Sequence, residues 1–395
     1  MLYKFNPSNF DFFHFYFLPL RIPRPAHLLN SAGSSSYYNL HYLKAMTSSK
    51  LARVIIDTDA GIDDAAAILM LLSANKRSLL HMSAITTVHG NTALHNVNKN
   101  VLRLLHCVDM LGQVAVHSGC STPLVQPYGE QSAQPYHGKD GFGDTNLPHP
   151  DLNTHLHPMP AALKIVEEVN AFPGSVHLLA IGPLTNVAVA KMLEPRLLYR
   201  LASLHIMGGN TTGRGNKSTC GEFNFLFDAE AAQNVLSSCG LPSDTSTFTD
   251  GEGSLCPVFI TPLETCIQAV NFPFSLREEY GRHDTPQAKL LNLAQKGCPT
   301  EGEYRQWATF DELATARLID TLVGDAFLPL QDRHSYKPLS TATLDCNVTV
   351  ELQGSHTRGM MVLDRRQEIP YSIPASLLTG VNVELYKRYL TSVFT

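Results

Sequence analysis

Residues 53–64 read RVIIDTDAGIDD, an apolar run that is followed by four aspartates within eight residues. The apolar run predicts a buried strand, and Asp57, Asp59, Asp63 and Asp64 stand at its carboxyl end. Carboxylates this close repel one another and raise each other's pKa unless a cation lies among them. Ligands that are all oxygens favour a hard ion, Ca2+ or Mg2+, over zinc. The alternative is a solvated acidic turn that caps a helix, although a cap needs one carboxylate and not four.

The composition narrows the class of protein. The chain has 395 residues with 16% charged residues and a net charge of −5, which gives no basic field for nucleic acid. No apolar window is long enough to predict a membrane span. The eight cysteines form no CxxC pair, so they predict reduced thiols of a cytoplasmic protein rather than a zinc site or a disulfide framework.

The N-terminal segment differs in composition from the rest of the chain. Residues 1–48 combine clustered aromatic residues with prolines and serines, and Asp11 and His14 interrupt the apolar run that a signal peptide would need. We expect this segment to be a disordered extension, and residues 49–395 to form one large domain. Within that domain, residues 240–256 are rich in Ser, Thr and Gly and predict an inserted loop.

Strand and helix patterns alternate from residue 51 onward. The apolar runs predict strands at 54–56, 81–88, 114–116, 176–181, 204–207, 258–261, 341–352 and 359–363. Helical patterns are found at 62–74, 93–110, 159–170, 184–192, 228–238, 284–296, 311–322 and 381–393. This order predicts βαβ units and an α/β fold, with an open, mainly parallel sheet flanked by helices and a Rossmann-like core.

Polar clusters follow several of the predicted strands, at 57–64, 89–91, 182 and 208–210. In open α/β sheets, ligands bind beyond the carboxyl ends of the strands. We therefore expect one functional site that is built from successive strand ends.

Six motifs occur in a fixed order: DTDAGIDDA at 57–65, ITTVHGN at 85–91, IGPLTN at 181–186, IMGG at 206–209, GEFN at 221–224 with DAEAA at 228–232, and DELATA at 311–316. With these motifs the chain resembles the inosine–uridine-preferring nucleoside hydrolases over roughly residues 52–394. That family hydrolyses the N-glycosidic bond of ribonucleosides to ribose and a free purine or pyrimidine base. The resemblance implies the nucleoside hydrolase fold and a homodimer or homotetramer.

The resemblance also implies a Ca2+ site. Its ligands would be Asp59, Asp64, the backbone carbonyl of Ile181 and Asp311, a set that suits Ca2+ coordination. Asp59 would take the proton of the attacking water, and Asp57 would be a supporting carboxylate. Asp311 could instead, or also, cap the helix that it begins.

For the ribose, the resemblance implies a second group of residues: Asp63, Asn91, Met207, Asn216, Glu222, Phe223 and Asn224. Asp63 and Asn91 would bind ribose hydroxyls, and Met207 would contact the sugar from beneath. For Asn216 and Asn224 the alternative is an ordinary role in turns, because glycines surround them.

The residues expected to contact the nucleobase depart from the family pattern. Many members have His just before the carboxylate that corresponds to Asp311, as the acid that protonates the leaving base, whereas this chain has Phe310. Phe310 could stack on the base or close the pocket, but it cannot donate a proton. His137, in a segment that resembles the family's HGxxG loop, is the other candidate acid because imidazole titrates near neutral pH. Its alternative is a plain position on a mobile loop, and His89 is expected to be structural.

Two other functions compete with nucleoside hydrolysis. The chain could be a catalytically weak member of the family that binds nucleosides or ribose. It could also be a Mg2+-dependent phosphatase with Asp57 as nucleophile, since Asp57 and Asp59 after a strand resemble that motif. Gly61 stands where the phosphatase pattern has Thr or Val, which weighs against this interpretation.

Overall fold

The computed structural model describes residues 51–125, 136–145, 147–240, 254–296 and 306–395. The stretch from Leu51 to Thr395 forms one compact unit. The expectations for residues 1–48 and for nearly all of 240–256 lie outside the described residues.

Ten strands of the described part form one sheet in the order β11-β10-β12-β7-β6-β5-β1-β2-β3-β4, and β8 and β9 pair separately. The strands are β1 Arg53–Thr58, β2 His81–Thr87, β3 Val116–Ser118, β4 Leu156–His157, β5 Val176–Ala180, β6 Leu201–Met207, β7 Val258–Thr261, β8 Phe272–Pro273, β9 Gln306–Trp307, β10 Ser340–Val350, β11 Met361–Asp364 and β12 Ile373–Val381. Pairing is parallel from β4 through β12, and β10 is antiparallel to both of its neighbours. The expected open, mainly parallel sheet is confirmed.

Helices connect and cover these strands. They are α1 Ile62–Lys76, α2 Leu94–Cys107, α3 Leu152–His155, α4 Ala161–Ala171, α5 Thr185–Leu193, α6 Leu197–Arg200, α7 Phe223–Phe227, α8 Ala229–Val235, α9 Leu263–Gln268, α10 Phe274–Gly281, α11 Pro286–Gln295, α12 Asp311–Val323 and α13 Val383–Phe394, with 3-10 helices at Gly324–Phe327 and Leu330–Ser335. None of those in the described chain is both long and apolar enough to cross a membrane. The seven cysteines of this part are free thiols, as expected.

Strand β1 lies in the interior of the sheet, between β5 and β2, and both of its faces are apolar. Val54 and Ile56 pack in one hydrophobic core, and Ile55 packs in the core on the opposite face. Successive side chains of a strand point to opposite faces, so an unbroken apolar run suits a strand that is covered by helices on both sides. The run therefore places the four aspartates at the middle of the sheet edge.

Every strand and helix predicted above overlaps an observed one, but some elements are missing from the prediction. The longest is β12, which pairs with β7 and β10. Its sequence begins Ile373-Pro374, and proline argues against a strand with neighbours on both sides because it lacks an N–H donor. Helices α9 and α10 are likewise absent from the prediction, since both are short and polar residues interrupt their apolar positions.

Candidate active site

The carboxyl ends of β1, β2, β5 and β6 meet at one edge of the sheet. In the strand register, Asp57 pairs with Thr86 on one side and with Ala180 on the other, and Ala180 pairs with Ile206. The loops after these strands carry the predicted residues, and α12 begins at the same edge. The residues that follow these successive strands therefore lie together at one edge, and their role as one functional site stays a prediction.

Asp59 is fully buried at the end of β1. Its Oδ2 accepts a hydrogen bond from the Asn91 backbone N–H at 2.7 Å, whereas its Oδ1 is buried without a hydrogen-bond partner in the described residues. Burial, and then the charge of Asp64, raise the pKa of Asp59 well above its usual range. A side chain at Gly90 would collide with this carboxylate, because a Cβ there would lie 2.0 Å from Asp59 Oδ2. Glycine at position 90 therefore allows the close approach of the two loops.

Asp64 is held from three sides. Its Oδ1 accepts from Thr58 Oγ1 at 2.5 Å, and its Oδ2 accepts from the Gly61 backbone N–H at 2.8 Å and from Asn91 Nδ2 at 3.0 Å. The bond to Gly61 caps the start of α1. Helix capping thus accounts for Asp64 but not for Asp59, which makes no such bond.

Asp63, Asp64 and Asp311 offer carboxylate oxygens that lie within 4.8 Å of one another. Asp311 is the first residue of α12, and the N-cap residue is Phe310, which makes no side-chain capping bond. The alternative that Asp311 caps its helix is therefore wrong. Burial raises the pKa of Asp311 well above its usual range, and the charges of Asp63, Asp64 and Asp59 raise it further.

The four carboxylates of Asp59, Asp63, Asp64 and Asp311 fit a hard cation. No Lys or Arg of the described chain forms an ion pair with them, and only the imidazole of His137 approaches, with Nε2 at 3.8 Å from Asp63 Oδ1. Buried, mutually repelling carboxylates need a compensating positive charge, and a donor set of oxygens suits a divalent cation of the Ca2+ or Mg2+ type. The orphaned Oδ1 of Asp59 is an available ligand atom. Asp63, which is expected to bind ribose, belongs to this group of three, whereas Asp59 does not.

Asn224 connects the ends of β5 and β6. Its Nδ2 donates to the carbonyl of Ile181 at 3.0 Å and to that of Met207 at 3.1 Å. Asn224 is buried within helix α7, so the alternative of a turn position is wrong for this residue. The carbonyl of Ile181, a predicted metal ligand, thus lies at the sheet edge with one of its two lone pairs engaged.

Glu222 is the N-cap of α7. Its carboxylate accepts from the backbone N–H groups of Asn224 at 2.9 Å, Phe225 at 3.1 Å and Gly209 at 2.9 Å. Burial raises the pKa of Glu222 to about 7 despite these bonds. Glu222 therefore fastens the start of α7 to the loop that follows β6.

The loop before α7 carries Asn216, which is exposed and accepts from the Phe223 backbone N–H at 2.9 Å through Oδ1. This contact matches the alternative of a structural role in the loop. Phe223 is buried and packs on Phe227 with ring centroids 4.4 Å apart. Phe223 directly precedes Asn224, which contacts the carbonyls at the sheet edge.

His137 is buried over the start of α1. Its Nδ1 accepts from the Ile62 backbone N–H at 3.1 Å, which leaves the proton of the neutral ring on Nε2, facing Asp63. Burial lowers the pKa of His137 to about 4. Its ring therefore lies against the carboxylate group rather than on the surface. Phe310 is half-buried and packs against the larger core.

His89 and Asp57 have supporting roles. His89 Nε2 lies 3.1 Å from Thr185 Oγ1, and Thr185 donates to Asp228 Oδ2 at 2.7 Å, away from the carboxylate group. Asp57 Oδ1 accepts from Thr86 Oγ1 at 2.6 Å and from Asn186 Nδ2 at 2.8 Å. The contacts of Asp57 tie strand β2 and the first turn of α5 to β1. Thr86 and Asn186 lie in two of the motifs listed above, ITTVHGN and IGPLTN, but their contacts with Asp57 were not predicted, because each joins distant parts of the chain.

The geometry can be compared with known proteins. The model of the family described as inosine-uridine preferring nucleoside hydrolase matches residues 54–388. The chain belongs to this family. The predicted family, enzyme class and fold are thereby confirmed, and the phosphatase alternative is wrong.

Individual relatives agree with this assignment. The non-specific ribonucleoside hydrolase RihC of Salmonella agona (strain SL483) is 29% identical over 357 residues, which cover 88% of this chain and 99% of the relative. Among solved structures, a plant nucleoside hydrolase, the PpNRh1 enzyme, has a TM-score of 0.71 at 24% identity and covers 87% of this chain and 99% of its own. The purine-preferring ribonucleoside hydrolase from Gardnerella vaginalis has a TM-score of 0.68 at 22% identity, with 86% and 98% covered. These two structures share the fold of this hydrolase.

Proposed function

We propose that this hydrolase uses bound Ca2+ to cleave the N-glycosidic bond of ribonucleosides and releases ribose and a free purine or pyrimidine base. The observation that carries the proposal is the group of four carboxylates at the sheet edge, three buried and one, Asp63, half-buried, which no Lys or Arg of the described chain neutralises. The name of the Salmonella relative, a non-specific ribonucleoside hydrolase, supports a broad range of bases.

In this proposal the cation is held by Asp59, Asp64, the carbonyl of Ile181 and Asp311. Asp63 lies close enough to Asp64 and Asp311 to join them. When bound, Ca2+ supplies a fixed positive centre that orients a water molecule and the ribose hydroxyls.

The ribose would lie against Asp63, Asn91 and Asn224. The Nδ2 groups of both asparagines already donate to Asp64 and to the strand-end carbonyls, so Oδ1 is the atom that each would offer to a ribose hydroxyl. The other predicted sugar contacts, by resemblance, are Met207, Asn216, Glu222 and Phe223.

Asp59 is the base in this mechanism, because its unpartnered Oδ1 is the atom that can accept the proton of water. As the bond to the base breaks, positive charge develops on the ribose ring. Fixed carboxylates beside the ring stabilise that charge without reorganisation. A ring with a pKa of about 4 is neutral at pH 7, so the expected transfer of a proton from His137 is replaced by a hydrogen bond that its Nε2–H donates to the departing base. We assign Phe310 to pack against the base.

Ribose release tests the proposal directly. The protein is incubated with inosine, adenosine, guanosine, uridine and cytidine in Ca2+ and in excess EGTA, and reducing sugar is measured. We expect ribose from at least one purine and one pyrimidine nucleoside in Ca2+, and loss of that activity in EGTA. Calorimetric binding of a nucleoside without any ribose release would instead support the catalytically weak, binding-only alternative.

A histidine pair tests the role of His137. His137→Ala is expected to lower kcat by about 100-fold with a smaller change in KM, because a hydrogen bond to the departing base strengthens in the transition state. His89→Ala is the matched control, since burial lowers the pKa of both histidines to about 4 but only His137 faces Asp63. A His137 variant with the same kcat as the His89 variant would contradict the assignment.

Two further expectations stay proposals. By resemblance to the family, we propose a homodimer or homotetramer, which light scattering coupled to size-exclusion chromatography tests. We also propose a cytoplasmic location, which the free thiols of the described part suit.

A further inference from the structure

Asn100 lies on helix α2 and contacts the two loops that carry the proposed catalytic groups. Its side chain is fully buried. The Nδ2 group donates to the backbone carbonyl of Ala60 at 3.1 Å and to that of Asp140 at 2.9 Å. Ala60 directly follows the proposed base Asp59, and Asp140 lies three residues after His137. One amide group therefore joins the loop of the carboxylates to the loop of His137.

Arg103 fixes the orientation of this amide. Its Nη1 donates to Asn100 Oδ1 at 2.6 Å, and the same guanidinium donates to the carbonyls of Leu147 and Pro148. Because a guanidinium can only donate, Oδ1 of Asn100 must face Arg103, and both hydrogens of Nδ2 are left for the two loop carbonyls. The amide donors of Asn100 are thus fully used within the protein.

The loop of His137 closes on itself and packs against this amide. The Gly143 backbone N–H donates to the His137 carbonyl at 2.8 Å. Gly141 has a φ of +80°, and a Cβ at this position would lie 2.8 Å from Asn100 Nδ2. Glycine therefore allows the close approach of the loop to helix α2. The position of the imidazole depends on this contact between the loop and the helix.

The carboxylate loop bends sharply at the residue that Asn100 contacts. Ala60 has a φ of +38°, which is uncommon for a residue other than glycine and persists only where its surroundings hold it. Its carbonyl is held by Asn100, and its N–H donates to Thr58 Oγ1 at 3.1 Å. The next residue, Gly61, touches the imidazole, since a Cβ there would lie 2.7 Å from His137 Nδ1. The two loops thus also meet at the ring itself.

We propose that Asn100 is a positioning residue that places His137 Nε2 to donate its hydrogen bond to the departing nucleobase. This inference rests on the proposed function, in which that bond helps the base to leave. Asn100 acts through His137, because its own side chain is buried and its two N–H groups are engaged. Its loss should slow substrates whose leaving group needs the hydrogen bond more than a substrate whose leaving group is stable as an anion.

Two leaving groups separate this role from a merely structural one. In Asn100→Leu the kcat for inosine should fall about 30-fold with a smaller change in KM, because a misplaced donor is lost in the transition state. With p-nitrophenyl ribofuranoside, whose nitrophenolate leaves without a hydrogen bond from the enzyme, the fall in kcat should be about tenfold smaller. Equal losses on the two substrates would overturn the proposal, since damage to the carboxylate loop slows both.

A double-mutant cycle and a matched control sharpen the test. In a His137→Ala background, Asn100→Leu should lower kcat for inosine by less than about threefold, because the group that it positions is gone. Asn98→Leu is the control: Asn98 is also buried on α2, but it bonds to Thr87 Oγ1 and Ser118 Oγ at the sheet. Any loss in this control should be equal on both substrates. Additive effects of Asn100→Leu and His137→Ala would contradict the positioning role.

Hydrogen exchange separates this inference from the proposed function. In Ca2+, peptides that span residues 137–143 should exchange faster in Asn100→Leu than in the wild type or Asn98→Leu, as mass spectrometry measures. Unchanged exchange would refute the role of Asn100 even if nucleosides are hydrolysed. Faster exchange in a protein that releases ribose from no nucleoside would refute the hydrolase proposal and not the link between the loops. Should Asn100→Leu fail to fold, Asn100→Asp, which keeps the acceptor for Arg103 and loses both donors, should give the same pattern.

Discussion

Asp59→Asn is expected to lower kcat by about 10³-fold while the protein stays folded, because the substitution removes the proposed base and keeps its shape. The Asn91 backbone N–H can still donate to the side-chain oxygen at position 59, as it does to Asp59 Oδ2 at 2.7 Å. The loss should therefore come from proton transfer and from cation binding rather than from a displaced loop. Steady-state ribose release measures it.

A stability measurement distinguishes this loss from unfolding. Asp59 is buried beside Asp64, and their mutual repulsion raises the pKa of Asp59. Removal of one negative charge should raise the melting temperature in EGTA and reduce the gain that Ca2+ provides. Asp284→Asn, on a highly exposed residue that pairs with Lys289, is the control and should alter neither rate nor the response to Ca2+. A near-normal kcat in Asp59→Asn would refute the assignment of Asp59 as base and ligand.

The central part of the fold was predictable because its sequence patterns are local. Residues 54–56 form an unbroken apolar run, and such a run followed by a helix predicts a buried parallel strand. Strand β12 was not predictable in the same way, since Pro374 lies within it and its pairing with β7 depends on residues more than one hundred positions away. Tertiary contacts determine such an element, and they leave little trace in the local sequence.

In the candidate site, too, some features follow from the local sequence and others depend on tertiary contacts. The register of parallel strands brings the loops after β1, β2, β5 and β6 together, so the grouping of Asp59, Asn91, Ile181 and Met207 follows from the order of the elements. The hydrogen-bond partners of the individual side chains did not follow from the order of the elements. The motif around Glu222 predicts a sugar ligand. In the structure its carboxylate oxygens accept hydrogen bonds from three backbone N–H groups around the start of α7.

Glu312 illustrates what sequence patterns omit. It stands one residue after the candidate ligand Asp311 and reads as an ordinary acidic residue in the first turn of a helix, where a negative charge is favourable. Burial and the missing partner of Oε2 become visible only when α1, α12 and α13 are packed. A feature that depends on an absence of partners cannot be read from a motif.

Removal of Ca2+ should destabilise the protein increasingly as the pH rises. Burial raises the pKa of Asp63 to about 6, and it raises the pKa values of Asp59, Asp64 and Asp311 as well. A carboxyl whose folded pKa exceeds its unfolded value of about 4 contributes stability at low pH, and this contribution is lost as the pH rises through the folded pKa. In EGTA the melting temperature should therefore fall between about pH 5 and pH 8 relative to the Ca2+ form.

The difference between the Ca2+ and EGTA forms isolates the ligands. Histidines such as the half-buried His177 titrate in both forms, so their contribution cancels. At a Ca2+ concentration of 100 times Kd the gain is about 2.7 kcal/mol, or about 4 °C for a domain of this size, and it should shrink toward pH 5 as protons compete with the cation. Asp311→Asn should lose most of the gain, and Asp284→Asn should keep it. Scanning calorimetry at several pH values measures these shifts; a gain that is absent, or that is the same at pH 5 and pH 8, would show that these carboxylates do not hold the ion.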